Sequence, residues 1–290
     1  MSAGPRPGCH PVALAAQPPP ICPALLPAVR VQLSYRDEMT TLVTLRAAAA
    51  SVSGLVRQGN EDAVYAGRWL FAVADGLGGH AAGELASAAV VETLQAYDRD
   101  IDESEALKTL SRAVREANAE IARRAAEDPA RRGMGTTLTA VLHTGDRLAV
   151  AHIGDSRAFR LRGGQLRQIT EDHIMGNLVS NAGGLAEFIV RFLDGRPDRS
   201  PDLILRDLLT GDRYLLCSDG LSPVVAAAVV REVLAAAADP DVAVRELVAL
   251  AEAEGAPDNV SVIVIDVREG GADTGAPPLV LGSAAQALTR

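Results

Sequence analysis

Asp75 stands where an apolar run, Leu70 to Val73, gives way to Gly76–Leu77–Gly78–Gly79 and then His80. A carboxylate at the end of a buried strand is held rigidly, and its charge needs a partner. The glycines let backbone carbonyls approach a ligand closely. A carboxylate and a backbone carbonyl, with water in the remaining positions, suit a hard divalent cation; the plain alternative is an Asp-Gly turn. Comparable junctions recur. Arg147–Ile153 runs into Gly154–Asp155–Ser156–Arg157, and a stretch ending in Cys217 and Ser218 delivers Asp219–Gly220. Asp258–Asn259 leads into Val260–Val267. Upstream, Arg57 precedes Asn60–Glu61–Asp62. Arg57 is either a solvated surface arginine or a guanidinium fork for a phosphate, and Glu61 and Asp62 are either turn residues or further oxygen ligands.

Elements able to hold these residues can be read around them. Val64–Tyr65 and Trp69–Val73 form a hairpin about Ala66–Gly67–Arg68. Ala81–Tyr97 reads as a helix, and Glu103–Glu127 as a second, with Leu107, Leu110, Val114, Ala117 and Ile121 at three- and four-residue steps. Asp128–Pro129 ends it. Thr137–His143 and Arg147–Ile153 pair around Thr144–Gly145–Asp146. Phe159 and Leu161 alternate with Arg160 and Arg162, so one face is buried. His152, in an apolar strand, reads as a core histidine. Within Thr170–Gly211, Asn181–Ala182–Gly183–Gly184 breaks an apolar segment and Gly195–Pro201 is polar and turn-rich, so the stretch reads as a surface flap. Strand Asp212–Ser218, helices Val224–Ala238 and Asp241–Glu254, and strand Val260–Val267 follow.

The chain has 290 residues, ample for a large core, and 48% are hydrophobic, so a globular protein is expected. Aromatics are only 3%, which leaves Ala, Val, Leu and Ile to build that core. A net charge of −9 argues against nucleic acid as the main partner and suits divalent cations or basic protein segments. No apolar run is long enough to span a bilayer. Cys9, Cys22 and Cys217 make no disulfide framework, so the expected compartment is a reducing cytoplasm. Residues 1–38 hold half of the prolines and read as a disordered extension, with Met39 the expected native start. Residues 39–268 read as one folded domain and 269–290 as a flexible tail.

The ordered motifs RQGNEDA, ADGLGGH, GMGTT, GDSR, SDGL and APDN resemble those of the PPM family of metal-dependent Ser/Thr protein phosphatases, in its bacterial, type 2C-like branch. The resemblance covers about residues 46–268. It implies an α+β fold, a four-layer α/β/β/α sandwich with two central antiparallel sheets. It also implies hydrolysis of phosphoserine and phosphothreonine through a metal-bridged hydroxide at a binuclear Mn²⁺ or Mg²⁺ centre. Asp75 resembles the acid that bridges two ions, completed by Asp219 and Asp258 at one and by the Gly76 carbonyl at the other, with Glu61 or Asp62 touching the second directly or through water. Asp155 resembles a ligand of a third, weaker ion shared with Asp219. Without that role, Asp155 and Arg157 would tie the turn together as an ion pair. Arg57 resembles the phosphate-binding arginine.

Implied partners are phosphorylated proteins, Ser/Thr kinases among them, acted on by a monomer. Two departures stand out. Some relatives place a histidine directly after the Asp-Gly pair, where this chain has Leu77, and His80 lies further on. The stretch after Ile169–Thr170–Glu171–Asp172 is short and lacks a His-Pro pair, so the flap's specificity does not carry over. A catalytically dead binding module and a two-metal phosphodiesterase or nuclease are the competing functions. The retained acids Asp75, Asp219 and Asp258 oppose the first, and the acidic balance opposes the second.

Overall fold

The structure, a computed structural model, describes residues 43–78, 81–179, 185–270 and 277–288. The expected extension 1–38, Met39, the Gly183–Gly184 break, Gly79 and His80 lie outside the described residues.

In chain order the strands begin with β1 (Val43–Val52), β2 (Ala63–Ala66), β3 (Leu70–Ala74) and β4 (Gly76–Leu77). Helices α1 (Ala81–Gln95) and α2 (Glu103–Glu127) follow. Next come β5 (Gly135–Thr136), β6 (Leu138–Thr144), β7 (Arg147–Ile153), β8 (Arg157–Arg162) and β9 (Gln165–Gln168). The hairpin β10 (Ile174–Val179) and β11 (Leu185–Ile189) precedes β12 (Asp202–Asp207) and β13 (Arg213–Cys217). Helices α3 (Ala227–Ala236) and α4 (Pro240–Ala253), strands β14 (Val260–Glu269) and β15 (Leu279–Gly282), and helix α5 (Ser283–Leu288) complete the described chain.

Two antiparallel sheets pack face to face, one ordered β1-β14-β13-β8-β9 and the other β12-β7-β6-β3-β2-β15. The side-chain alternation of each strand divides the core into three apolar layers. On β3, Phe71 and Val73 point between the sheets, where they meet Val64, Val141, Leu216 and Ile263. Leu70, Ala72 and Ala74 point outward and pack with α1 and α2, through Val90, Leu94, Leu110, Val114 and Ile121. The other sheet turns Leu215, Cys217, Val262 and Val264 toward α3 and α4, through Val230, Leu234, Val244 and Leu247. The fold is therefore the expected four-layer α+β sandwich. No helix among the described residues is long and apolar enough to cross a membrane.

Two segments differ from the sequence reading. The stretch read as a flap, Thr170–Gly211, contains β12, which pairs with β7 from Asp202↔His152 to Asp207↔Arg147 and so belongs to the six-stranded sheet. The exposed part is the β10–β11 hairpin, which carries Met175 and Phe188 to solvent. The tail read as flexible from residue 269 includes β15, which covers the β2 edge from Leu279↔Ala66 to Gly282↔Ala63, and α5, whose Ala284 is fully buried. Closing that edge removes a row of unpaired backbone donors and acceptors.

Candidate metal centre

Strand register brings the candidate residues to one end of the sandwich. Ala63 pairs with Ala74, so Asp62 and Asp75 flank the same end of the β2–β3 hairpin. The far end of that hairpin is fixed by Asp98, whose carboxylate accepts from the Tyr65 hydroxyl at 2.8 Å and from the Trp69 and Leu70 amides at 2.7 and 2.9 Å. Leu138 pairs with Ile153, which sets Thr137 beside the Gly154–Asp155 turn. Val52 pairs with Val260, and Cys217 with Val262, which brings the Arg57 loop, Asp219 and Asp258 to the same rim.

Two glycines permit the close approach of these loops. A Cβ at Gly220 would lie 1.9 Å from the Asn259 carbonyl oxygen, so only glycine lets the Asp219 turn pass the Asp258 turn. A Cβ at Gly76 would lie 2.4 Å from the Gly83 carbonyl oxygen and 2.6 Å from that of Glu61. Glycine there packs the Asp75 turn against both the first turn of α1 and the Glu61 backbone.

Short polar side chains hold the backbone around the acids. The Asp75 amide donates to Thr137 Oγ1 at 3.0 Å, and its carbonyl accepts from the Thr137 amide at 2.9 Å and from Thr136 Oγ1 at 2.8 Å. Thr136 also exchanges two backbone hydrogen bonds of 2.9 Å with Leu193, which anchors the base of the exposed hairpin beside Asp75. Asn259 accepts from the Glu61 amide at 2.8 Å, while its Nδ2 donates to the carbonyls of Ser53 and Gly59 at 3.0 and 2.8 Å. The Glu61 carbonyl accepts from Ser87 Oγ at 2.5 Å, and Ser87 Oγ lies 2.8 Å from Ser283 Oγ. The Ser283 amide in turn donates to the Asp62 carbonyl at 2.8 Å, so the C-terminal strand and helix brace this loop. None of Thr136, Thr137, Ser87, Asn259 or Ser283 was assigned a role by the sequence, although GMGTT and APDN contain three of them.

The electrostatics match a cation site. Asp62 is almost wholly buried; its Oδ2 accepts from Ser218 Oγ at 2.9 Å, and its Oδ1 is buried with no hydrogen-bond partner. Burial, opposed by hydrogen bonds from Ser261 and Ser218 and reinforced by the charges of Asp219 and Asp258, pushes its pKa up to about 7. Asp155 Oδ1 is likewise buried and unpartnered, and burial with the charge of Asp219 moves this carboxyl to about 7. Burial and the charges of Asp62, Asp219 and Asp155 hold Asp75 well above the usual carboxylate range. Asp219 is raised by burial and by Asp258. Among the described residues no three His, Cys, Asp or Glu side chains already close around one point as a finished ligand set. Two orphaned carboxylate oxygens within a group of mutually repelling acids nevertheless fit hard divalent cations, which take oxygen donors.

Arg57 is exposed and donates from Nη2 to Asp258 Oδ2 at 2.5 Å. Partial burial works against its charge, but Asp258, and then Glu61 and Asp219, hold its pKa above the ordinary value. The guanidinium therefore lies within the acids' field. Glu61 Oε2 lies where a Cβ on Gly83 would sit, 2.0 Å away, which directs this carboxylate along the start of α1. Arg157 does not pair with Asp155. It forms a forked pair with Asp172, from Nη2 at 2.6 Å and Nε at 2.9 Å to Oδ2, because the Ile169–Asp172 segment folds back along β8. His152 is fully buried and bonds Thr139 Oγ1 and the Glu171 carbonyl, a core histidine as read from the sequence. Burial pushes the Cys217 thiol up to about 12, which leaves no thiolate nucleophile there.

The family model of protein phosphatase 2C matches residues 48–259. The serine/threonine protein phosphatase PstP of Mycobacterium tuberculosis is 46% identical over 239 residues, covering 78% of this chain and 46% of that protein. The chain thus spans about half the length of that relative. Protein phosphatase PhpP of Streptococcus pneumoniae is 30% identical over 233 residues, 74% of this chain and 95% of that one. A solved structure of the catalytic domain of PstP in complex with two manganese ions superposes with a TM-score of 0.71 at 44% identity, over 78% of this chain and 99% of that one.

Proposed function

Because the chain belongs to the protein phosphatase 2C family, we propose that it is a metal-dependent protein serine/threonine phosphatase whose centre is held by Asp75, Gly76, Asp219 and Asp258. The observation that carries this reading is the gathering of Asp62, Asp75, Asp155, Asp219 and Asp258 beside an exposed arginine, with two of the carboxylates bearing buried, unpartnered oxygens.

Asp75 is central enough to serve two ions, since its carboxyl feels Asp62, Asp155 and Asp219 together. Asp219 and Asp258 would complete the set of one ion, and the Gly76 carbonyl would contribute to the other. Asp62 or Glu61 would serve the second directly or through water, and Asp155 with Asp219 would hold a third, weaker one. When bound, Mn²⁺ or Mg²⁺ ions supply an acidified water and neutralise phosphate charge. Arg57, exposed and held to Asp258 by one Nη2 contact, trades that pairing for the phosphate oxygens and aligns phosphorus for in-line attack. Thr137, Ser218 and Asn259 hold the acid-bearing loops, so the ligand set changes little between cycles. The substrates are phosphorylated proteins, Ser/Thr kinases among them, and the enzyme works as a monomer in the cytoplasm.

The test is turnover of a phosphothreonine peptide, with a cyclic nucleotide as the contrasting substrate. EDTA should abolish phosphopeptide turnover and Mn²⁺ restore it, with the cyclic nucleotide left intact. Full phosphopeptide turnover in EDTA, or none in Mn²⁺, would overturn the assignment.

A further inference from the structure

An open cleft of about 710 Å³ lies where the two sheets part, between the edge strands β9 and β12. Its volume falls within the range of small-ligand sites, roughly 300–1,000 Å³. No residue assigned to the metal centre lines it. Three arginines do, one from each of three strands: Arg160 on β8, Arg167 on β9 and Arg206 on β12.

These arginines are treated differently from their neighbours. Arg162, two residues along β8, forks onto Asp212 at 2.5 and 2.6 Å. Arg213 forks onto Asp266 at 2.6 and 3.0 Å, and Arg147 takes Asp207, the residue beside Arg206. Arg160, Arg167 and Arg206 have no carboxylate partner among the described residues, in a chain where 37 acids outnumber 28 bases. Arg160 and Arg167 moreover sit directly opposite each other on paired strands, a like-charge juxtaposition that destabilises a sheet. The Nε of Arg160 is buried and has no hydrogen-bond acceptor, a cost proteins seldom leave standing. The acids on the wall do not offset this charge. Asp202 is taken by Arg191 and His173, which leaves Glu171 against three guanidinium groups.

Forked donors converging from three strands fit a tetrahedral oxyanion. We propose that Arg160, Arg167 and Arg206 form a second, non-catalytic site that binds a phosphate dianion. Two sources share that chemistry: free phosphate, and a second phosphorylated residue on a bound protein substrate. The latter rests on the phosphatase reading, whereas the site itself does not.

The experiment compares the full chain with Arg160→Gln and with the double variant Arg167→Gln/Arg206→Gln. The double variant changes only exposed residues, so it remains informative if Arg160→Gln fails to fold. Calorimetric titration with inorganic phosphate in the presence of Mn²⁺ should show two classes of site in the parent. The double variant should weaken one class at least tenfold and leave turnover of p-nitrophenyl phosphate within twofold. In parallel, KM is compared for singly and doubly phosphorylated peptides of one sequence. If the second phosphate belongs to the substrate, the parent prefers the doubly phosphorylated peptide several-fold and the variant loses that preference. If the source is free phosphate, only the calorimetric class disappears. Identical isotherms and identical KM ratios in parent and variants overturn the proposal. The calorimetric arm still decides the matter should the chain prove to have no phosphatase turnover.

Discussion

Asp219 is the carboxylate whose charge is felt across the whole centre, since it raises Asp62, Asp75 and Asp155 alike. Replacing it by asparagine keeps its shape but removes the charge. Charge pairs at an effective dielectric near 20 interact by roughly 2–3 kcal/mol at 6–8 Å. A net gain of about 2 kcal/mol, the lower end of that range, is therefore expected for the chelated protein at pH 8. For a domain of this size that is a rise in melting temperature of roughly 4–8 °C. Saturation with Mn²⁺ reverses the order. Each ion at a hundred times its Kd adds about 2.7 kcal/mol to the parent, and the variant forfeits at least one ion. The pH dependence has a definite sign. Asp62 and Asp155 have folded-state values near 7, above the ordinary 3.8, so their penalty is full above pH 7 and fades as pH falls from 7 toward 4. In EDTA the gap between variant and parent should therefore be widest at pH 8 and close by about pH 4. Thermal melts in EDTA and in Mn²⁺, at both pH values, measure all of this. A variant that melts below the parent in EDTA at pH 8 would refute the account of the carboxylates as mutually repelling ligands.

Arg57→Ala removes an exposed side chain paired only at its tip, so melting should move by less than about 2 °C, while kcat/KM on a phosphopeptide falls by roughly 10- to 150-fold, the worth of a charge-assisted phosphate contact; unchanged kinetics would remove Arg57 from the reaction. Asp155→Ala should still bind two ions by calorimetry yet lose much of its turnover, and wild-type turnover at every Mn²⁺ concentration would dismiss a third ion. Arg157→Ala should chiefly lower the melting temperature, because it leaves Asp172 without its forked partner; a variant that melts with the parent would show the pair to be dispensable. Asp194, held down to about 2 by Arg199 and Arg196 despite partial burial, contributes up to about 2 kcal/mol. That stability is present above pH 4 and lost as pH falls toward 2, so Asp194→Ala and the parent should differ in urea midpoint at pH 7 and converge near pH 2.

Legibility in the sequence followed the range of the interactions. Helix α2 matches Glu103–Glu127 because its apolar face repeats every three to four residues, and β7 matches Arg147–Ile153 because a doubly covered strand is a continuous apolar run. The acids at strand ends were visible because strand and turn are adjacent in the chain. Strand β12 was hidden, since Asp202–Asp207 is short, charged at both ends and set among turn residues, and only pairing with β7 makes it a strand. β15 was hidden for the same reason, its partner β2 lying about two hundred residues earlier. The alternative to a metal role for Asp155 pairs Arg157 with that sequence neighbour, whereas the fold supplies the more distant Asp172. The serines and threonines bracing the acid loops carry no sequence signature of their own, because a hydroxyl that holds a turn looks like any other until its acceptor is in place.

The brace from Ser283 to the Asp62 carbonyl, together with the pairing of β1 with β14, has a consequence for how the protein is made. A ribosome adds roughly 5–20 residues per second, so about 10–40 s separate the emergence of Asp62 from that of Ser283. During that interval the first-made loop carries Arg57, Glu61 and Asp62 without Asn259 to staple it or β14 to lie beside β1. The acid cluster is thus assembled late, once the last strands dock and Asn259 and Ser283 take hold of the Glu61–Asp62 loop.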